Sequence, residues 1–425
     1  MSENIFLSKP GFICAAGDSK NPEQFIENLE NGNRDGIKVV EPSIASENGA
    51  KKFYVGKIED SKLKPTGDKF DMRVLQILDF ALDGISGVVQ KAISKYGKNR
   101  VGACIGSCDN GTELSMKGHR AFFGSAVESK EGHFPENYDL KMQGADYVAG
   151  FTSKKFGVTG PSLAFSTACS SSASAIIKAK ELILSGICDA VIAGGVDIVS
   201  DTVLLGFDSL EAIDHRMTNP FSKNRSGINL GEGASVFLLS KDDLEQTGII
   251  LAGSGESSDA SHMTAPLADG TGAEQAMNAA LREAKLEPSE IDYINLHGTG
   301  THLNDSMESR GVELVFKTPA EKTFADRGEK SDIPNKIKNL PLCSSTKPMM
   351  GHTLGAAGSL ELAVCFYAIK EQKLPIHLWD GLQDEEMPEM NFVEKIADST
   401  TVRCCMSNSF AFGGCNASLI IKSLE

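Results

Sequence analysis

The chain has 425 residues, 41% hydrophobic and 23% charged, with 42 Lys and Arg against 57 Asp and Glu for a formal charge of −15. That length exceeds what one ordinary core needs, which points to two domains or one large domain built from two related halves, and the composition excludes both a small repeat module and a largely disordered chain. The acidic balance excludes nucleic-acid binding through a general positive field, so an acidic partner has to dock on a local basic patch.

In chain order, the N-terminal MSENIFLSKPGFICAAG has no basic start before an apolar stretch, and no run of about 18 uncharged apolar residues follows anywhere. No membrane insertion is expected, and the expected compartment is a reducing cytoplasm. Short apolar runs, VGACIG (101–106), CDAVIAGG (188–195), ASVFLLS (234–240), IDYINLH (291–297) and TVRCCMSNSF (401–410), are predicted as buried strands. Between them, Asp71–Tyr96, Ser170–Ser185, Ala273–Lys285, Asp305–Phe316 and Thr353–Lys370 have helical spacing. Strands interleaved with such helices give an α/β class with covered sheet faces.

The two halves echo each other. PSLAFSTA runs into Cys169 and a small-residue helix start, SSSASA; PLCSST leads through KPMMGH into TLGAAGSLE; and GEGASVFLLS (231–240) is matched by GGCNASLIIKS (413–423). The polar KDDLEQTG (241–248) separates two strands, so the halves are taken as residues 1–245 and 246–425. The charged segment from Thr318 to Asn339 reads as a surface excursion.

Cys169 is the one cysteine of ten at a strand-to-helix elbow, where the helix dipole and free N–H groups favour thiolate; the others read as small buried hydrophobes. The scattered cysteines include no C-x-x-C pair, so no metal site is expected. His297 and His352 each follow a strand-like run among glycines, which places both imidazoles at a sheet's C-terminal edge. Neither GSGESS (253–258) nor GTGTHL (298–303) completes a phosphate-binding loop, whereas Gly413 and Gly414 allow a close backbone approach to a ligand. A cysteine with two histidines is open to a hydrolase, a transglutaminase-like acyl transferase or a carbon–carbon bond-forming acyl transferase. Two neutral imidazoles donating to one oxygen suit an enolate.

Taken together and in order, TACSSS (167–172), HGTGT (297–301), KPMMGH (347–352) and NSFAFGG (408–414) resemble the elongating β-ketoacyl-acyl carrier protein synthases, and the similarity runs from GFICAAG (11–17) to the last strand. The resemblance implies a thiolase-like five-layer αβαβα fold, with two similar halves related by pseudo-twofold duplication, the first carrying the nucleophile and the second the histidines. It further implies that Cys169 accepts the acyl chain, that His297 and His352 bind the malonyl thioester oxygen, and that Lys347 supports them. The amides of Cys169 and Phe412 would form the oxyanion hole, with the Phe412 ring as the acyl gate. Thr299 and Thr301 would bind the phosphopantetheine arm, and Asp305, Glu308 and Glu361 would be supporting acids. Lys64, Lys69 and Arg73 match the family's carrier-binding helix. The implied partner is acyl carrier protein in its acyl and malonyl forms, which brings the phosphopantetheine, so no cofactor of the chain's own is expected. A homodimer, or a heterodimer with a related ketosynthase-like subunit, is implied as well. His302, Ala411 and Cys415 depart from the usual family pattern, and HGTGTHLND and SFAFGGCNAS are more similar to branches making polyenes or other specialised chains. The rival readings are a coenzyme A-dependent thiolase and a non-catalytic chain-length partner subunit.

Overall fold

Two sets of five strands carry the fold, and both follow one order. In a computed structural model, which describes residues 4–42, 51–69, 71–129, 131–136, 138–317, 340–394 and 401–424, the first set is β1 (Phe6–Leu7), β2 (Val101–Gly106), β3 (Ser162–Phe165), β4 (Ala190–Asp197) and β5 (Gly233–Ser240). The second is β6 (Ile249–Ser258), β7 (Tyr293–Asn295), β8 (Leu342–Ser344), β9 (Cys404–Phe410) and β10 (Cys415–Ser423). Their spatial orders are β3-β2-β4-β5-β1 and β8-β7-β9-β10-β6. In each set the first three strands run parallel and the fourth pairs antiparallel. β1 pairs with both β5 and β6, Phe6 lying opposite Ser240 and Ile250, and so joins the sets. The polar stretch 241–248 links β5 to β6.

Every residue of β2, β4 and β5 is buried, as expected of strands covered on both faces. Arg73–Gly84 packs on β4 and β5 from one outer side, and Thr271–Ala284 covers β6 and β10 from the other. Between the sets lie Ser171–Leu184, against β2, β3, β4 and β10, and Ala357–Glu371, against β4, β5, β7, β9 and β10. This makes five layers, αβαβα. The second inner helix is buried at every residue from Ala357 to Ile369, which explains why its sequence is apolar around its whole circumference.

Several elements differ from the sequence reading. The stretch 71–96 is two helices, Arg73–Gly84 and Ser86–Tyr96, broken at Ile85 (φ −108°, ψ 3°). The stretch read from Asp305 starts at His302, because Asp305 turns inward to accept backbone amides instead of capping the helix. GSGESS belongs to β6: a Cβ at Gly253 or Gly255 would meet Ala280 O at 2.3 Å or Ala276 O at 2.1 Å, so these glycines seat the covering helix. Helices Thr112–Ser129 and Tyr147–Phe156 lacked a clear apolar stripe in the sequence. The segment read as a surface excursion, 318–339, lies outside the described residues. Among the described residues no helix is long and apolar enough to cross a membrane.

Candidate active site

β3 ends at Phe165, a short 3-10 turn spans Ala168–Ser170, and the inner helix begins at Ser171. Ala168 has φ +52°, a left-handed conformation unusual for a residue with a Cβ. Ser171 holds it there: its Oγ donates to Ala168 O at 2.6 Å and accepts from Thr167 N at 2.9 Å. The turn aims Cys169 inward, where it is 5% exposed. The second half repeats the device with Leu354 at φ +51° before the other inner helix. The following residue there is Gly355, where a Cβ would come within 2.7 Å of Asp197 Oδ2. Only one half therefore presents a nucleophile.

His297 follows β7, and His352 follows β8 through a one-turn helix, Lys347–Met350. Both are buried, and their rings meet edge to face, with centroids 5.3 Å apart. His352 Nε2 lies 3.0 Å from Cys169 Sγ. The ligand atoms of Cys169, His297 and His352 all lie within 4.8 Å of one another. Burial pulls both imidazoles well below the usual histidine range, and the nearby Lys347 cation reinforces this, so both are neutral near pH 7. Among the described residues, both ring nitrogens of His297 and Nδ1 of His352 are buried without a protein partner, which is costly unless another polar group enters. A cysteine and two histidines are also a soft metal-binding set, but Lys347 acts on all three and its charge opposes a divalent ion there.

The thiol itself corrects the expectation of a favoured thiolate. Burial pushes Cys169 up to about 11, outweighing the downward pull of Lys347 and of the Phe412 N–H donated to its sulfur. The resting group is a thiol beside a neutral imidazole.

Lys347, 1% exposed, pairs with Glu361, whose carboxyl burial pushes up to about 7 against the pull of the lysine. Glu308 accepts from the amides of His297 (2.8 Å) and Gly298 (2.7 Å), and burial pushes it up to about 8. Asp305 accepts from Phe221 N at 2.7 Å and Gly300 N at 3.1 Å, with its carboxyl raised by burial to about 6. Glu308 and Asp305 hold the loop that carries His297, whereas Glu361 holds Lys347. Thr299 and Thr301 sit on that loop with their hydroxyls 3.1 Å apart. Phe412 is half-buried and stacks on Phe207 at 5.9 Å, while Gly413 (φ +87°) has open space at its Cβ position.

Residues 10–244 match the family described as "Beta-ketoacyl synthase, N-terminal domain", and residues 249–378 match "Beta-ketoacyl synthase, C-terminal domain". The chain belongs to the β-ketoacyl synthase family. It is 32% identical to 3-oxoacyl-[acyl-carrier-protein] synthase 2 of Vibrio harveyi over 391 residues, covering 87% of this chain and 88% of that one. The Vibrio cholerae enzyme of the same name is 33% identical over 340 residues, 76% of each chain. Among solved structures, a chain from "Ketosynthase (ApeO) in Complex with its Chain Length Factor (ApeC) from Xenorhabdus doucetiae" superposes with TM-score 0.83 at 34% identity, covering 99% of this chain and 98% of that one. A β-ketoacyl synthase from Burkholderia phymatum gives TM-score 0.79 at 26% identity, covering 100% of both chains. The thiolase-like class expected of such a synthase is the architecture found, and the chain is an acyltransferase of the condensing type.

Not every residue carried over from the synthase family sits where its role requires. Lys64 and Lys69 are exposed, but on a loop instead of a helix, because Pro65 and Gly67 (φ +72°) interrupt it and the helix starts only at Arg73. Lys69 reaches Asp139 at 3.4 Å. Arg73 turns inward: its Nε and Nη2 bind Glu232, which is 0% exposed, Nη2 also donates to Ile58 O at 2.7 Å, and Nη1 reaches Asp60 at 2.5 Å. Its charge is spent on a buried carboxylate and not offered to a carrier. His302 opens its helix as an exposed residue.

The sequence reading of this synthase missed Asp197 and Asn229. Asp197 ends β4 and accepts from Cys108 N and Asp109 N, both at 3.0 Å, and from Gly355 N at 2.6 Å, pinning the two halves together behind the nucleophile. Asn229 accepts from His352 N at 2.7 Å through its carbonyl. A lone Asp closing an otherwise apolar strand was the signal for the first; nothing in the sequence marked the second.

Proposed function

We propose that this synthase extends an acyl chain by two carbons through decarboxylative condensation with malonyl-acyl carrier protein. The observation that carries the reading is His352 Nε2 at 3.0 Å from a buried thiol, with a second neutral imidazole in the same pocket. In the first half-reaction the Cys169 proton passes to His352 Nε2 as sulfur attacks the acyl thioester carbonyl. The carbon–sulfur bond to the carrier then breaks, and the proton goes to the departing thiol. In the second, the malonyl carbon–carboxylate bond breaks and carbon dioxide leaves. The electron pair moves onto the thioester oxygen, which N–H groups of His297 and His352 hold as an enolate. The enolate carbon attacks the acyl-cysteine, whose oxyanion rests on the Cys169 and Phe412 amides, and the cysteine sulfur leaves and takes up a proton. Lys347 adds positive charge next to the developing enolate. No metal, nucleotide or flavin takes part, and Thr299 and Thr301 bind the phosphopantetheine arm brought by the carrier.

The relatives' names supply the carrier, and the solved complex of a ketosynthase with its chain length factor supports pairing with a second copy or a related subunit. In this chain β3 is a sheet edge with Leu163 exposed, which suits such a partner. All ten cysteines are free, which suits a reducing cytoplasm. A thiolase would bring a second cysteine to the site, but Cys415 starts β10 opposite Ser258 and is not in the cluster with Cys169. A non-catalytic subunit would not keep Cys169 with both histidines. Incubating the protein with acyl and malonyl carrier proteins and weighing the products tests the reading: a β-ketoacyl carrier two carbons longer supports it, and an unchanged carrier with hydrolysed acyl chain refutes it.

A further inference from the structure

A third buried histidine, His377, lies just past the second inner helix and takes no part in the chemistry above. Aromatic side chains box its ring: it stacks flat on Phe392, with centroids 3.9 Å and planes 10° apart, and meets Phe221 and Trp379 at steeper angles. Burial pulls this imidazole down to about 3, so at neutral pH it keeps one donor and one acceptor. Its partners decide which nitrogen is which. Nδ1 lies 3.1 Å from Ser345 N, which can only donate, and Nε2 lies 3.2 Å from Pro220 O, which can only accept. The proton is therefore on Nε2.

Ser345 is where two catalytic segments meet. Its Oγ donates to Gly298 O at 2.7 Å and accepts from Lys347 N at 3.3 Å. Gly298 follows His297, and Lys347 opens the one-turn helix that leads to His352. The fit is tight: a Cβ on Gly298 would come within 2.6 Å of Ser345 Cβ. At its other nitrogen His377 holds Pro220, whose neighbour Phe221 donates through N to Asp305, the acid that also accepts from Gly300. One buried imidazole thus braces the His297 loop from two directions. His352 is anchored separately, its amide donating to Asn229 O at 2.7 Å. Slack at Ser345 would therefore shift His297 and Lys347 while His352 stays beside Cys169.

We propose that His377 and Ser345 are positioning residues for the decarboxylation step, a clamp that sets the His297 loop against the Lys347 helix so that both catalytic imidazoles reach one enolate oxygen. The inference rests on the condensation reading above. Enolate formation needs His297 and His352 in register, whereas acylation needs His352 and the Phe412 amide, so a loosened clamp separates the two half-reactions. His377→Leu, which leaves Ser345 N without its acceptor, and Ser345→Ala, which deletes only a hydroxyl, should each slow carbon dioxide release from malonyl carrier protein about 10- to 100-fold, the usual result of a misplaced catalytic group. Acylation of Cys169, followed by intact-protein mass spectrometry, should stay within about threefold of the parent. His377→Gln supplies an acceptor and a donor in place of the two ring nitrogens and should restore carbon dioxide release to within about threefold of the parent. The deciding quantity is the ratio of the two rates, which a smaller folded fraction does not move. An unchanged ratio in Ser345→Ala, or a glutamine variant as slow as the leucine one, would overturn the proposal, and the Ser345→Ala arm decides it even where His377→Leu does not fold. A parent that releases no carbon dioxide from malonyl carrier protein would instead contradict the condensation reading itself, so the two failures are distinguishable.

Discussion

The two histidines should fail differently. His352 Nε2 is within hydrogen-bond reach of the Cys169 sulfur, whereas His297 makes no hydrogen bond to it and, among the described residues, has no protein partner at either ring nitrogen. The thiol is held up at about 11 by burial, so at neutral pH acylation needs a base to take its proton. His352→Ala should therefore slow acylation by about 10² to 10⁴, the usual worth of a positioned general base. His297→Ala should leave acylation within about threefold of the parent, since it removes neither that base nor the hydrogen bond donated by Phe412. Loss of either imidazole removes one donor to the enolate oxygen, so malonyl decarboxylation should fall by about 10² to 10³ in both. Intact-protein mass spectrometry follows the acyl adduct over time, and carbon dioxide release follows decarboxylation. Equal slowing of acylation by the two substitutions would refute a base role specific to His352.

Phe412→Ala should melt within a few degrees of the parent, because a half-buried ring stacked on Phe207 contributes about 0.5 to 1.5 kcal/mol as an aromatic pair. Its acyl chain-length preference should change; a large loss of melting temperature with unchanged selectivity would reject the gate. Arg73→Glu should destabilise the fold by about 3 to 5 kcal/mol, since it places two carboxylates at one buried site, whereas Lys64→Glu with Lys69→Glu should raise KM for carrier substrates and leave melting near the parent. Equal stability losses in both variants would show that Arg73 has no special structural role. Glu361 is raised to about 7 from an ordinary 4.5, so the stability associated with its protonated form is full below pH 4.5 and is lost as pH rises through 7. Lys347→Met removes the opposing cation and raises Glu361 further, so melting temperature should fall more steeply above pH 7 than in the parent, and adding Glu361→Gln should flatten the profile. Parallel profiles for parent and Lys347→Met would show that the pair is not electrostatically coupled.

The reacting residues were legible in the sequence because each sits at a local pattern: an apolar strand, a turn, then small residues permitting a helix start. Cys169, His297 and His352 all follow it, and so do the echoes that the repeated strand order explains. What escaped was decided across the chain. Arg73 looks like any basic residue in a charged stretch until Glu232, 159 residues away, is found buried beneath it. Asp197 gains its meaning from Gly355, 158 positions on. The thiol's resting state was misjudged for a related reason. The helix start is visible in sequence, whereas the degree of burial that outweighs it is set by packing between halves.

The most direct test of the central claim is a pulse and chase on Cys169. The protein is loaded with an isotopically labelled acyl chain from its carrier, freed of excess donor, and then given malonyl-acyl carrier protein. The account requires the label to leave Cys169 and appear in a β-ketoacyl carrier product two carbons longer, with one carbon dioxide released per chain. Label that remains on the protein, or that is released as free acid while malonyl carrier stays intact, would contradict it.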